Sequence, residues 1–344
     1  MPKAGKAIAS LLAVAALCVP AAARADEPVT IGVVGAVSDT VLYLAEKKGF
    51  LHGEGLKGDI TVFDSGAKMV APLGAGQLDV GAGAYSAGLF NAVGRGINIK
   101  IVADKATNKA PYDYRAVVVR VPLASEIKSL ADLKGRKIGV TAQGASDNSV
   151  LAVGLKSVGL GLNDVERVYM GFAAQFVALK NGGIDAAFGS EPDVTLMARE
   201  KIAVRFKPYS AFYPVDQSGV ILFGTSFLDK DRAKGERFMR AYLRAVRFYD
   251  SALKDGHLAG PNADYIYDAI AELTKQQDKT VFHDMVASWC NPDGAIELAS
   301  VKTDLDNFKA ENEVPADMTA ERVVDLSFAQ KAVKELGPAA PTSN

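Results

Sequence analysis

Short apolar runs alternate with segments of helical spacing along most of the chain. The first four runs are Val29 to Val34, Asp59 to Phe63, Leu78 to Gly81 and Ile97 to Ala103. A small or polar loop follows each run, and segments such as Val41 to Ala45 then place apolar residues on one helical face. Short apolar runs predict buried strands, whereas the wider spacing predicts amphipathic helices. Their alternation favours an α/β fold whose sheets are mostly parallel and flanked by helices.

The stretch from residue 129 to residue 169 contains the clearest strand–loop–helix unit. Lys137 to Thr141 predicts a strand, and Gln143 to Ser146 predicts a glycine-containing loop. Ser146 or Asp147 is expected to cap the helix that follows, because a short side-chain oxygen accepts from free N–H groups of the first turn. This order places a helix N-terminus beside the carboxyl end of a strand, where open parallel sheets bind ligands.

An internal repeat predicts two lobes. The pattern Leu-x-x-Gly-x-(Leu/Ile)-Asp begins at Leu73 and again at Leu179, about a hundred residues later. Two distant copies favour two similar α/β lobes over a solenoid, which needs several adjacent units.

Two further apolar, β-branched runs predict where the chain passes between the lobes. Arg115 to Val121 is expected to form the first crossover and Gly219 to Phe223 the return, which gives a two-segment hinge. The expected division is listed by residue number: 26–121 and 217–337 in the first lobe with the C-terminal helices, 122–216 in the second lobe, and 338–344 as a loose tail.

The first 25 residues have the features of a secretory signal peptide. Lys3 and Lys6 precede an apolar stretch from Ile8 to Val19 that is too short to span a membrane, and Ala23 to Ala25 supplies small residues for cleavage. We therefore expect residues 1–25 to be removed and the mature protein to be periplasmic. Cys18 lies in the apolar stretch behind a poor lipobox, so a lipid anchor is left open but is not favoured.

Cysteine content and charge exclude some classes of protein. Cys290 is the only cysteine after residue 25, so the mature chain has no internal disulfide. The formal net charge of the 344 residues is −1, which does not favour binding to nucleic acid.

Patterns for catalysis, metals and cofactors are incomplete. The histidines His52, His257 and His283 are far apart and lack metal-ligand spacing. Ala84 to Gly88 departs by one residue from the nucleophile elbow of hydrolases, although a later histidine could still act as base. Gly81 to Ser86 lacks the third glycine of a dinucleotide site, and there is no Walker loop. We expect no catalytic residues, no metal and no cofactor.

Candidate binding residues lie in six loops at predicted strand ends and beside the return crossover. Glycine lets backbone N–H groups approach a ligand, and serine, threonine and glutamine supply donors and acceptors. The candidates are Ser38, Asp39, Thr40, Ser65, Gly66, Ala84, Tyr85, Ser86, Gln143, Gly144, Ala145, Ser146, Asp147, Asn148, Phe172, Ser190, Glu191, Asp216 and Gln217.

Two stretches carry a resemblance to a known family. Residues 127–140 read Ile-x-Ser-Leu-x-Asp-Leu-Lys-Gly-x-x-Ile-Gly-Val, and residues 43–56 read Tyr-Leu-Ala-Glu-x-x-Gly-Phe-Leu-x-x-x-Gly-Leu. Both resemble periplasmic substrate-binding proteins of ABC transporters, in particular the nitrate/sulfonate/taurine and thiamine-precursor group. The resemblance implies a two-lobe, type II periplasmic-binding-protein fold in which the six loops line the cleft between the lobes.

The same resemblance implies the solute-binding component of an ABC importer. Its lobes would close on a small polar or aromatic molecule and deliver it to a membrane permease that is driven by a separate ATPase. A monomer is expected. An enzyme on the same fold, as in thiamine or menaquinone biosynthesis, and a sensory binding module remain as alternatives.

Charges in the loops bear on the ligand. Asp39, Asp147 and Glu191 are acidic, and Lys68 and Lys105 are the only cations near these loops. Acids that point inward would repel a sulfonate or nitrate, whereas acids that only cap helices would allow an anion. We therefore expect a neutral or cationic planar solute, such as a pyrimidine or another aromatic solute, to be favoured. The rings that could stack on it, or pack in the core, are Tyr85, Tyr112 and Phe172.

Overall fold

A computed structural model describes residue 1 and residues 25–340 of the chain. The predicted signal peptide, except for its first and last residues, and the end of the predicted tail lie outside the described residues. Within the described ranges, no helix is both long and apolar enough to cross a membrane.

The strands are short and are separated by helices, as the alternating pattern predicts. They are β1 (Glu27–Val33), β2 (Leu56–Val62), β3 (Val80–Gly83), β4 (Lys100–Lys109), β5 (Arg115–Arg120), β6 (Lys137–Val140), β7 (Glu166–Tyr169), β8 (Ala186–Ser190), β9 (Ala203–Pro208), β10 (Val215–Phe223), β11 (Leu253–Lys254) and β12 (His257–Leu258).

The α-helices are α1 (Thr40–Lys47), α2 (Val70–Gly74), α3 (Ala87–Gly94), α4 (Ser146–Lys156), α5 (Phe172–Asn181), α6 (Asp193–Arg199), α7 (Arg232–Asp250), α8 (Ala263–Thr274), α9 (Val281–Asp284), α10 (Leu298–Ala310) and α11 (Ser327–Leu336). Short 3-10 turns precede some of them, for example Val37–Asp39 before α1 and Gly66–Met69 before α2.

Two five-stranded sheets share one topology. The first sheet has the order β2-β1-β3-β10-β4 and the second has the order β7-β6-β8-β5-β9. In the first sheet β1 pairs in parallel with β2 and β3, and β10 runs antiparallel to both of its neighbours. In the second sheet β6 pairs in parallel with β7 and β8, and β5 is the antiparallel strand. Each sheet is therefore mostly parallel, with one reversed strand that follows a passage between the sheets.

The crossover strands predicted from the sequence lie differently. β5, which was expected to cross between lobes, pairs along its length with β8 and β9 inside the second sheet. β10, the expected return, lies between β3 and β4 in the first sheet. The passages themselves are the short segments 110–114 and 209–214. The β-branched runs are buried sheet strands that flank the passages, which is why they resemble core rather than linker.

The two passages lie side by side and are tied together by one carboxylate. Asp113 accepts hydrogen bonds from the backbone N–H (3.0 Å) and the hydroxyl (2.7 Å) of Ser210, and from the amide of Asn108 (2.9 Å). Tyr114 adds a hydrogen bond from its hydroxyl to Ser218 at 2.9 Å. The chain therefore passes between the lobes through two adjacent segments, as a two-segment hinge requires.

Helices cover both faces of each sheet. On the first sheet, α7, α8 and α9 pack with β1 on one face, while Val301, Leu305 and Phe308 of α10 pack with β4 and β10 on the other. On the second sheet, α4 packs on one face and Val194 and Met197 of α6 pack on the other. We call each sheet with its helices the first lobe and the second lobe.

Candidate ligand-binding site

A small cavity lies between the lobes, where the carboxyl ends of β1, β2, β3, β6 and β8 meet. Its volume is about 40 Å³, measured as the space open to the centre of a water molecule. It is lined by Val34, Ala36, Ser38, Asp64, Ser65, Gly66, Ala67, Ala84, Lys105, Tyr114, Arg115, Thr141, Ala145, Ser146, Asp147, Phe172, Ser190 and Ser218.

The sequence-based candidates divide into two groups at this cavity. Those that line it are Ser38, Ser65, Gly66, Ala84, Ala145, Ser146, Asp147, Phe172 and Ser190. Those that lie outside its lining are Asp39, Thr40, Tyr85, Ser86, Gln143, Gly144, Asn148, Glu191, Asp216 and Gln217. Most members of the second group have partners inside the protein.

Asp39 is neutralised by Lys105. Its Oδ1 lies 2.5 Å from the Lys105 ammonium, and its Oδ2 accepts from the backbone N–H groups of Val34 (3.1 Å) and Ala36 (2.9 Å). Lys105 also donates to the Ser38 hydroxyl at 3.0 Å. Both charged side chains are buried, so Asp39 supports the loop after β1 and positions Lys105 at the cavity wall.

Glu191 is likewise held within the protein. Its carboxylate pairs with Arg205 and accepts from the backbone N–H and the hydroxyl of Thr195, both at 3.0 Å. Its backbone carbonyl accepts from the N–H of Val37 at 3.1 Å, which joins the two lobes. Asp39 and Glu191 therefore do not act as free acids that would repel an anion, because each is paired with a cation.

Several other candidates hold local backbone rather than face the cavity. Thr40 donates to the carbonyl of Val37 at 2.6 Å, and Asn148 donates to the carbonyl of Ala142 at 2.6 Å. Gln217 donates to Asp104 at 2.6 Å and is fully buried in the first lobe. Gln143 is exposed.

The loop that contains Tyr85 and Ser86 touches the second lobe. Ser86 caps α3 by accepting from the N–H of Leu89 at 3.3 Å, and it forms a β-bridge with Ala145. The N–H of Ala87 donates to the carbonyl of Gly144 at 2.8 Å. These loops therefore contribute contacts between the lobes, and Tyr85 is buried instead of stacking in the cavity.

Ser86 has no catalytic partners around it. Each histidine has another contact: His257 Nδ1 lies 3.0 Å from the carbonyl of Met285, His283 packs 4.6 Å from the Tyr267 ring, and His52 pairs with Asp26. Among the described residues, no cluster of histidine, cysteine and carboxylate side chains could hold a metal ion.

Arg115 is the functional candidate that sequence reasoning missed. It is only 4 % exposed and lines the cavity, with its guanidinium 5.0 Å from the centroid of the Tyr209 ring. Its Nη1 lies 3.6 Å from Asp216 Oδ2, which is an ion pair without hydrogen-bond geometry. The sequence contains one signal that could have identified it, namely that Arg115 is a charged residue at the start of the apolar run 115–119. A charged side chain buried in such a run needs a partner or a ligand.

Four residues that line the cavity carry buried polar atoms without hydrogen-bond partners. Among the described residues, Ser65 Oγ, Arg115 Nε, Ser146 Oγ and Asp147 Oδ1 are buried and lack a hydrogen-bond partner. A buried polar group without a partner costs about 1–3 kcal/mol, so such groups are rare unless they serve a ligand or water. The set contains a donor, an acceptor and two hydroxyls that can do either.

Asp147 lies in the first turn of α4, whose N-cap is Ala145 rather than Ser146 or Asp147. Its Oδ2 accepts from the backbone N–H of Thr141 at 2.5 Å, and its buried Oδ1 has no hydrogen-bond partner. Burial raises the pKa of Asp147, while Arg115 and the Thr141 hydrogen bond lower it. The side chain thus closes the turn after β6 and keeps one oxygen without a partner.

Gly66 allows the loop after β2 to reach the cavity. A Cβ at this position would lie 2.0 Å from the carbonyl oxygen of Ala84, so no larger residue fits without moving backbone. The contact joins the loops after β2 and β3 and forms one wall of the cavity.

The charges around the cavity are nearly balanced. The buried cations Lys105 and Arg115 face the buried carboxyls Asp39, Asp147 and Asp216, and burial raises the pKa of Asp216. Lys68 does not line the cavity. A purely anionic solute would add to a small excess of negative charge, whereas a solute with both an acidic and a donor group would not.

Two clusters of side chains connect the lobes beside the cavity. In the buried cluster, Asp304 of α10 accepts from Tyr85 (2.7 Å), Ser149 of α4 (2.6 Å) and Tyr213 (3.3 Å). In the exposed cluster, Arg199 of α6 bonds to Asp284, Thr280 and Asp278 near α9. Both clusters form only when the lobes are close together, as they are here.

Sequence and structure comparisons confirm the resemblance inferred from the sequence. The sequence profile of the NMT1/THI5-like family matches residues 37–251. A Brucella abortus (strain 2308) protein that carries the name of a binding protein is 35% identical over 170 residues, which are 49% of this chain and 50% of that protein. An Escherichia coli (strain K12) protein named for binding aliphatic sulfonates is 30% identical over 124 residues, 36% of this chain and 37% of that protein.

The chain spans about half the length of the Brucella relative in this match. Among solved structures, the alkanesulfonate-binding protein SsuA from Xanthomonas axonopodis pv. citri, bound to MOPS, superposes with a TM-score of 0.68 at 19% identity. The similarity covers 88% of this chain and 99% of that protein. It confirms the predicted two-lobe periplasmic-binding-protein fold.

Proposed function

We propose that this chain, which belongs to the NMT1/THI5-like family, is the solute-binding component of an import system. It would capture a small solute between its lobes and hand it to a membrane permease with a separate ATPase. The observation that carries the proposal is the buried Arg115, which lines the interlobe cavity and whose Nε has no hydrogen-bond partner. A guanidinium in this position suits an acidic ligand group, which it binds through paired N–H donors.

The remaining lining narrows the class of solute. Ser65 and Ser146 offer hydroxyls to the same acidic group, while Asp147 Oδ1 requires a donor such as an ammonium or amide N–H. The balance of buried charge favours a solute that carries both groups. We therefore propose a small zwitterionic or amide-bearing acid, with sulfonate as one candidate acid because an E. coli relative is named for sulfonates.

The proposed mechanism is closure of the lobes around the hinge. A ligand shifts a two-state equilibrium only as far as its affinity for the two states differs. Lining residues of both lobes, such as Ser65 in the first and Ser146 in the second, would contact the same ligand only in the closed form. Binding thereby favours closure, and opening releases the solute.

We propose binding without chemical change. The cavity lining contains no histidine or cysteine, and Ser86 lies outside it as a helix cap. The features of a signal peptide in residues 1–25 support action outside the cytoplasm, with monomer as the proposed state.

Three matched solutes test the proposal by titration calorimetry on the purified protein. Ethylamine carries only the donor, ethanesulfonate carries only the acid, and 2-aminoethanesulfonate carries both. We expect 2-aminoethanesulfonate to bind most tightly, because each of the other two solutes lacks one of the two groups. Arg115→Lys, which keeps the charge but loses the guanidinium fork, should weaken binding of both sulfonates about tenfold or more.

Asp147→Asn is the matched variant on the other side of the cavity. It should remove the advantage of 2-aminoethanesulfonate over ethanesulfonate, because the amide no longer favours a positive donor. Mass spectrometry of the recovered solute should show it unchanged. Equal binding of all three solutes, no effect of Arg115→Lys or turnover of the solute would contradict the proposal.

A further inference from the structure

We propose that Asp216 is a positioning residue that holds Arg115 ready for the solute and then yields the guanidinium to the acidic group of that solute. This inference rests on the proposed function and gives a role to a residue outside the cavity lining. Asp216 has no exposed surface, and neither of its carboxylate oxygens has a hydrogen-bond partner among the described residues. Its ion pair is with Arg115, whose Nη1 lies 3.6 Å from Oδ2.

Both members of this pair lie where a strand leaves the hinge. Arg115 is the first residue of β5, after the passage 110–114, and Asp216 is the second residue of β10, after the passage 209–214. Asn108 holds the two backbones together, because its Oδ1 accepts from the N–H of Arg115 at 3.0 Å and its backbone pairs with Asp216 in the first sheet. Since displacements are smallest close to a hinge, Asp216 can hold Arg115 in the open and the closed form alike.

The pair is loose enough for Arg115 to exchange partners. A guanidinium that binds a carboxylate firmly forms parallel hydrogen bonds of about 2.7–2.9 Å, whereas Arg115 and Asp216 form none. The Tyr209 ring, with its centroid 5.0 Å from the guanidinium, supports the side chain of Arg115 from another direction. The guanidinium therefore stays in place and keeps donors for an acidic group that approaches more closely than Asp216 does.

Exchange of partners changes the electrostatic surroundings of Asp216. When the acidic group of a solute takes the guanidinium, Asp216 loses its counter-ion and gains a neighbouring anion. The pKa of Asp216 is raised to about 6, chiefly by burial, while Arg115 opposes the shift. Weaker opposition in the complex should raise this pKa further, so Asp216 should take up a proton from water as an acidic solute binds.

The other groups that interact electrostatically with Asp216 are carboxyls and phenols. Asp304 titrates in the same range, because its pKa is raised to about 7, so a test has to separate the two carboxyls. The full set is Asp147 of α4, Asp304 of α10, Tyr85, Tyr114, Tyr209 and Tyr213.

Calorimetric titration with 2-aminoethanesulfonate at pH 5 and pH 8 tests the role of Asp216. Asp216→Asn keeps the shape of the side chain and removes the charge that competes with the solute. At pH 5 the wild-type carboxyl is mostly protonated, so the two affinities should agree within about twofold. At pH 8 the variant should bind about tenfold more tightly, which is the change expected if acid dissociation of Asp216 is tenfold weaker in the complex. A purely structural role would instead lower the affinity at both pH values.

Asp250→Asn is the matched control. Asp250 is 4% exposed, both of its carboxylate oxygens lack a hydrogen-bond partner, and its pKa is raised to about 7, chiefly by burial. It resembles Asp216 in these respects, but its charged neighbours are Asp104 and Lys109 instead of Arg115. Asp250→Asn should therefore leave the affinity unchanged at both pH values.

Proton uptake provides a second measurement that leaves Asp216 in place. Asp304→Asn removes the other carboxyl that titrates in this range. Titrations of this variant in two sulfonate-free buffers of different ionisation enthalpy give the number of protons taken up with each solute. We expect about half a proton near pH 6.5.

The outcomes separate the role of Asp216 from the proposed function. If the solute binds but Asp216→Asn gains no affinity at pH 8, or gains no more than Asp250→Asn, the role is overturned and the proposed function stands. If Asp216→Asn does not fold, proton uptake by Asp304→Asn decides, and zero uptake overturns the role. If the wild type does not bind 2-aminoethanesulfonate at either pH, both the proposed function and the role of Asp216 are contradicted.

Discussion

The two clusters that connect the lobes differ in their exposure to water. Asp304 is fully buried and accepts three hydroxyl hydrogen bonds, from Tyr85 in the first lobe, Ser149 in the second and Tyr213 beside the hinge. Arg199 also bonds to three residues, through five hydrogen bonds, but its side chain is 32% exposed and that of its partner Asp284 is 61% exposed. The number of partner residues therefore does not distinguish the two clusters, whereas exposure to water does.

Solvent decides how much each cluster can stabilise the closed form. When the lobes part, water replaces the partners of Arg199 with little loss, since exposed ion pairs contribute only about 0–1 kcal/mol. In the buried cluster, loss of one partner by mutation leaves hydroxyl groups unsatisfied in the closed form, where water cannot replace it, at about 1–3 kcal/mol for each buried group. We infer that the buried cluster sets the closed geometry and that the exposed cluster adjusts its population.

Asp304→Ala should give the largest effect. The change leaves the hydroxyls of Tyr85 and Ser149 without their acceptor, so we expect a loss of about 2–4 kcal/mol in the free energy of unfolding. Urea denaturation followed by circular dichroism measures this loss, and calorimetry with 2-aminoethanesulfonate measures the matching loss of affinity.

Asp304→Asn is the control for this experiment, because it keeps one acceptor oxygen and the shape of the side chain. Its loss should be clearly smaller than that of Asp304→Ala. Equal losses would mean that volume rather than hydrogen bonding explains the result, and the contrast between the clusters would weaken.

The pH dependence of affinity is the next largest expected effect. The pKa of Asp304 is raised to about 7, chiefly by burial and then by the neighbouring Asp216, although hydrogen bonds from Ser149, Tyr85 and Tyr213 oppose the shift. In an open form that admits water, the pKa should return towards the ordinary value of about 4. Between about pH 4 and pH 7, Asp304 is therefore protonated in the closed form and ionised in the open form. Because closure then takes up a proton, ligand affinity should fall as the pH rises from about 4 through about 7.

For one such group, ligand affinity can change by at most about tenfold per pH unit. Titrations between pH 5 and pH 8 should show the fall in the wild type and a flatter profile in Asp304→Asn, which cannot titrate at this position. Burial also raises the pKa of Asp216, so a residual slope of the same sign is expected in the variant. A wild-type affinity that rises with pH would refute the assignment.

Arg199→Ala should have a smaller effect. Loss of the contacts with Asp284 and Thr280 should weaken ligand binding about two- to fivefold at low salt, in line with about 0.5–1 kcal/mol for an exposed network. Because salt screens exposed charges, the difference from the wild type should shrink in 0.5 M NaCl. Lys180→Ala, which removes an exposed ion pair with Glu200 inside the second lobe, is the control and should leave affinity unchanged.

The strand–loop–helix pattern predicts both sheets of the fold, but it places the crossovers between the lobes on strands that flank them. Arg115–Arg120 and Val215–Phe223 are buried strands on either side of short passages, and the sequence contains no signal that separates a flanking strand from a linker. The lobes are similar because the repeated pattern at Leu73 and Leu179 ends α2 and α5 and leads into equivalent strands, β3 and β8.

The cavity is only partly predictable because both of its cations come from strands. Loop candidates such as Ser65 and Ser146 follow strands, where polar residues attract notice, whereas Arg115 begins an apolar run that suggests core. The Asp304 cluster was missed for a different reason. Its partner Ser149 is 155 residues away, and no local spacing in α10 indicates that contact.

Arg167→Ala should have the smallest effect and sharpens the comparison most directly. Arg167 of β7 reaches Glu311 beyond α10 through one hydrogen bond of 3.2 Å, and the two side chains are 19% and 32% exposed. Arg167 thus links the same two lobes as Arg199. It makes fewer hydrogen bonds than Arg199, but its side chain is less exposed to water. A double-mutant cycle with Glu311→Ala should give a coupling of about 0.2–0.5 kcal/mol, or at most about a twofold change in affinity. A coupling as large as the Asp304 effect would show that position near the cleft, and not burial, decides the contribution of a contact between the lobes.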